Sequence, residues 1–101
     1  MEIIKKISER IEEEIEDART YAKLALQYKE SDPELAQTFY TISGEEMKHM
    51  ELLHRQVARL ISDYKKTHGQ PPAAMAAVYD YIHKREIENA NKVMILQQQY
   101  R

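Results

Sequence analysis

Residues 26–39, Leu26-Gln27-Tyr28-Lys29-Glu30-Ser31-Asp32-Pro33-Glu34-Leu35-Ala36-Gln37-Thr38-Phe39, decide how this chain folds. Ser31 and Asp32 offer cap oxygens, and Pro33 suits a first helical turn, where a backbone N–H would have no partner anyway. Apolar residues recur at three- and four-residue spacing on both sides, so the stretch is the bend between two helices. A connection this short makes them antiparallel. Working outward, the next break is Thr67-His68-Gly69-Gln70-Pro71-Pro72, where Gly69 suits the left-handed residue just past a helix end. With two Gly and three Pro in 101 residues, the chain cannot punctuate a sandwich, a barrel or a series of βαβ units. The expected fold is all-α: one domain over 1–101, with helices near 2–30, 33–66 and 72–100. Such helices far exceed the usual mean of about 11–12 residues and need a packing partner along their whole length. The first two form a long hairpin, and the third completes a small bundle or the hairpin pairs with a second copy.

Composition removes several function classes. There is no Cys, hence no disulfide scaffold, no thiolate zinc site and no iron–sulfur cluster. Fifteen basic and seventeen acidic residues give a net charge of −2, and the basic pairs Lys5-Lys6 and Lys65-Lys66 are no footprint for nucleic acid. The longest apolar run, Ala73 to Tyr79, is far too short to span a membrane. Met1-Glu2-Ile3-Ile4-Lys5-Lys6 lacks the pattern of a signal peptide, so the expectation is a soluble, cytoplasmic protein.

Helical spacing places Ile3, Ile7, Ile11, Ala18, Tyr21, Ala25 and Tyr28 on one face of the first segment. Leu35, Phe39, Ile42, Leu53, Val57, Leu60 and Tyr64 share a face in the second, and Met75, Tyr79, Ile82, Ala90, Val93 and Tyr100 in the third. Each stripe has a gap filled by a carboxylate. Glu14 lies among Ile7, Ile11, Ala18 and Tyr21; Glu46 lies among Ile42, Met50 and Leu53, with His49 on its flank; Glu86 lies among Ile82, Ala90 and Val93. A glutamate on an apolar face needs a partner, because burying its charge alone costs several kcal/mol. Glu14 precedes the midpoint of the first turn by as many residues as His49 follows it, and Glu46 is less than one turn away in height. Glu14, Glu46 and His49 should therefore converge at one level of the hairpin. Two carboxylates and an imidazole meeting between helices suit iron or manganese, while zinc more often takes further His or Cys ligands. The other Glu-x-x-His pair, Glu51 and His54, reads as solvated surface because Glu51 points away from the stripe. Met47, Met50, Met75 and Met94 read as adaptable packing.

These residues give the chain its family likeness. Glu14-Ile15-Glu16-Asp17-Ala18-Arg19-Thr20-Tyr21-Ala22 and Phe39-Tyr40-Thr41-Ile42-Ser43-Gly44-Glu45-Glu46-Met47-Lys48-His49 resemble the first two helices of the ferritin-like di-iron carboxylate superfamily, especially its rubrerythrin and encapsulated-ferritin branches. The likeness covers about residues 7–60. It implies Glu14, Glu46 and His49 as iron ligands, and for Tyr21, seven residues after Glu14, a hydrogen bond to Glu14 or Glu46 or a redox role. It also implies a ferroxidase-like oxidoreductase that binds and oxidises Fe(II), serving storage, detoxification, iron handling for an encapsulating shell protein, or peroxide scavenging. A complete family bundle takes one Glu from each of two helices and a Glu-x-x-His from each of two more. No second inward Glu-x-x-His follows here, so one chain supplies half a site. A two-fold homodimer, or a higher homo-oligomer built from it, supplies four carboxylates and two imidazoles, enough for two irons. Without Cys there is no rubredoxin-type iron centre. Glu86 with His83 forms either a secondary metal site or a structural pair with Lys or Arg. Gly44, mid-helix beside Glu46, admits close helix approach or a local bulge. The other class of function is a metal-free helical interaction module.

Overall fold

The computed structural model describes residues 2–101. Three helices account for nearly all of it: α1 (Glu2–Tyr28), α2 (Pro33–His68) and α3 (Ala73–Tyr100), with no strand among the described residues. The 36 residues of α2 would run about 54 Å at 1.5 Å per residue. The long axis of the molecule is 55 Å, so α2 spans its whole length.

The breaks are made as their residues dictate. Asp32 caps α2, its Oδ1 accepting from the Leu35 amide at 3.2 Å, with Pro33 at the first helical position. Gly69 ends α2 with φ 75°, and its amide donates to the Lys65 carbonyl at 3.0 Å. Glycine occupies that left-handed region without the clash that a Cβ brings. Pro72 precedes α3, and its carbonyl accepts from Ala76.

The α1–α2 hairpin is the more extensive contact, α3 lies mainly on α1, and α3 meets α2 only sparsely. Two helices thus cover α1, which broadens its buried face to Ile4, Ser8, Ile11, Ile15, Ala18, Ala22 and Ala25. Ile4 and Ile15 belong to this face, whereas Ile3 lies at its edge, 48% exposed. Ile11, Ile15, Ala18 and Val93 form the centre of the core, flanked by Ile7, Met47, Met50, Leu53, Val57 and Ala90. Met94, expected to pack, is exposed.

Only Ala36 and Ser43 of α2 are fully buried; Phe39, Ile42, Leu53, Val57, Leu60 and Tyr64 are half-buried and Leu35 is exposed. The stripe on α2 is therefore wider than this chain covers by itself.

A polar relay fixes the register of all three helices. The Ser43 hydroxyl donates to the Ala18 carbonyl at 2.7 Å and accepts from the Gln97 amide at 3.0 Å. Three residues further along α3, the Tyr100 ring stacks on Tyr40 with centroids 4.6 Å apart, and its hydroxyl donates to Gln37. These pairings run α3 antiparallel to α2.

Candidate metal centre

The hairpin brings Glu14 from α1 together with Glu46 and His49 from α2. One ligand atom from each lies within 4.8 Å of the other two. His49 Nδ1 stands 3.5 Å from Glu14 Oε2 and 3.9 Å from Glu46 Oε2. The positions follow from the Asp32 turn and from one helical turn separating Glu46 and His49. The carboxylates form the floor, their side chains 25% and 20% exposed, and the imidazole forms the rim at 56%.

Two carboxylates this close repel each other. The Glu46 carboxyl is held up to about 7, first by hydrogen bonding to Glu14, then by burial and by the charge of Glu14; Asp17 adds to the rise and His49 opposes it. A neutral Glu46 has a proton to share with Glu14, whereas two charged groups have none. Glu14 Oε2 is buried without a hydrogen bond. A cation between the carboxylates would answer both the repulsion and the oxygen left without a hydrogen bond, and the donor set, two carboxylates and one imidazole, fits iron or manganese. Neither Glu14, Glu46 nor Glu86 pairs with a Lys or Arg among the described residues.

Tyr21 is close in sequence but engaged elsewhere. Its ring packs on Phe39, centroids 6.0 Å apart, and no hydrogen bond joins its hydroxyl to Glu14 or Glu46 among the described residues. Gly44 neither bulges α2 nor admits a close helix: nothing lies within 4 Å of where its Cβ would stand.

Glu86 lies about two turns along the bundle from this centre, with His83 of α3 and His54 of α2. The pairing of Glu51 and His54 as surface does not hold for the histidine. Glu51 is exposed, but His54 is half-buried and stacks on His83 with centroids 5.0 Å apart. His54 follows Met47 by seven residues and precedes Ile61 by seven, which puts it on the α3-facing flank of α2. That spacing was visible in the sequence; the flank emerges only once α3 is in place. Burial and the neighbouring His83 lower the His54 pKa. Burial, then the charge of Glu12, pushes Glu86 up to about 7.

No protein-family model, curated protein or solved structure matches the chain.

Proposed function

We propose that the protein is a ferritin-like di-iron protein that binds Fe(II) between paired hairpins and oxidises it, a ferroxidase of iron storage or detoxification. The observation that carries this reading is the convergence of Glu14, Glu46 and His49, with a buried Glu14 oxygen that has no hydrogen bond among them. Glu14 and Glu46 would hold the metal and neutralise its charge, Glu46 surrendering its proton as the cation arrives. His49 would complete the half-site as a neutral ligand. Bound iron supplies the redox chemistry, giving electrons to oxygen or peroxide as Fe(II) becomes Fe(III).

One chain offers three donors at an open rim, and a second copy would close it. The flank of the hairpin that carries His49 also carries half-covered apolar residues: Tyr21, Tyr28, Ile42, Leu53 and Leu60, with Ile3 and Leu35 exposed towards its two ends. A two-fold partner laid on this flank brings Glu14, Glu46 and His49 twice to one cavity and buries the remaining apolar surface.

The deciding experiment follows Fe(II) oxidation in air by the wild-type protein and by Glu46→Ala and His49→Ala. Rapid oxidation in the wild type and its loss in both variants is the expected result; equal kinetics in all three would end the proposal. A metal-free interaction module would show no Fe(II)-induced rise in melting temperature, whereas a ligand at about 100 times its Kd adds about 2.7 kcal/mol.

A further inference from the structure

The cluster beyond this centre has its own chemistry. His83 and Glu86 stand one turn apart on α3 and face His54 across the sparse α2–α3 contact. One ligand atom from each falls within 4.8 Å of the others, yet no ion pair within 4.0 Å joins either histidine to Glu86 among the described residues. Glu86 is 7% exposed, and its Oε1 is buried with no hydrogen-bond partner. A buried carboxylate with an unbonded oxygen, set within ligand-sharing distance of two imidazoles and paired to neither, is arranged for an ion placed among them. Arg55 borders the cleft without pairing to Glu86, while Glu12 and Glu51 add negative charge nearby.

We propose that His54, His83 and Glu86 form a second, mononuclear site for one divalent transition-metal ion of the zinc class. Two imidazoles exclude the all-oxygen shells that calcium and magnesium favour, and two histidines with one carboxylate match the ligand preference of Zn(II), Co(II) and Fe(II). Three protein ligands leave a coordination position open, as in exchangeable sites and unlike closed structural ones. The ligands stand between two clefts, one of about 220 Å³ lined by Ile4, Val57, Ile61 and Ile82, and one of about 320 Å³ that Glu51 and Arg55 border, so an ion there has an apolar side and a charged one. The site is complete within one chain. It stands independently of the iron reading, since it shares no ligand with Glu14, Glu46 and His49.

The test is a Co(II) titration, followed by visible absorption, of chelator-treated protein and of three variants: His83→Ala, Glu86→Gln and the double variant Glu46→Ala/His49→Ala. His83 is exposed, so its removal spares the core, and circular dichroism checks that each variant is helical. The expected result is one equivalent of Co(II) bound in the double variant, displaced by Zn(II) but not by excess Mg(II). Its affinity should fall in His83→Ala and in Glu86→Gln by more than the roughly 10–100-fold that losing an outer-shell partner costs. Wild-type affinity in both single variants, or no Co(II) bound in the folded double variant, would overturn the proposal. Loss of Fe(II) oxidation does not bear on this result, so the two readings fail separately.

Discussion

At the scale of single residues, buried polar groups matter more here than apolar ones. The Ser43 side chain bonds to both other helices, donating to α1 and accepting from α3. Ser43→Ala leaves the buried Gln97 amide without its acceptor and should cost about 1–3 kcal/mol in urea unfolding. Adding Gln97→Leu, which removes the stranded amide, should recover part of that loss. Glu46 predicts a pH effect whose sign is fixed. Its pKa is 4.5 when unfolded and about 7 in the fold, where Glu14 and Asp17 of α1 raise it and His49 opposes. Between these values the folded protein holds more protons than the unfolded chain, so Glu46 contributes stability below pH 4.5 that is lost as pH rises through about 7. Glu86 acts with the same sign. Metal-free protein should therefore unfold more easily at about pH 7.5 than at about pH 5, and Glu46→Gln should flatten that slope. A slope unchanged by Glu46→Gln would remove the shared-proton account of the pair.

At the scale of elements, the two glycines are opposite cases. Gly69 takes φ 75°, so Gly69→Ala forces a Cβ into the left-handed region and should cost about 1 kcal/mol or more. Gly44 lies inside α2 with open space around it, so Gly44→Ala should stabilise the helix by about 0.5–1 kcal/mol. Paired urea titrations at fixed protein concentration read both signs. The helices were legible in the sequence because their punctuation is local: Asp32-Pro33 and Gly69 set the boundaries of α2 through their own backbone chemistry. The level at which Glu14 meets Glu46 and His49 was legible for the same reason, since a short turn fixes hairpin register. What escaped was whatever depends on α3. The Ser43–Gln97 relay joins residues 54 apart, and no local pattern marks it. The sequence reads His54 with Glu51 as surface because Glu51 points away from the apolar stripe of α2; α3, packed on that side, covers the histidine. Apolar residues of α3 also lie well away from its buried line of Glu86, Val93 and Gln97, with Val78, Tyr81, Ile87, Met94 and Ile95 exposed, so its stripe was a weak guide to orientation.

At the scale of the whole molecule, a rod 18 Å across has little interior. Its core is a single line of isoleucines, alanines and one valine, and apolar surface remains uncovered on α2 and α3. The proposed two-fold dimer uses the flank of that surface on which the carboxylates already open, which ties assembly to metal binding. Ile3 and Leu35 test this link, because they sit towards opposite ends of the flank, 48% and 37% exposed, and neither belongs to the central core. Ile3→Glu/Leu35→Glu should leave the monomer's helicity intact, since exposed sites tolerate charge, while placing four like charges in a two-fold interface. Light scattering on the wild-type protein should give at least twice the 12.0 kDa chain mass, and the double variant should fall to one chain. Fe(II) oxidation should fall with it although Glu14, Glu46 and His49 are untouched, because each monomer would keep only half of the ligand set. A wild-type protein that is a metal-loaded monomer, or a monomeric variant that oxidises iron at the wild-type rate, would separate the site from the assembly and refute the shared-site dimer.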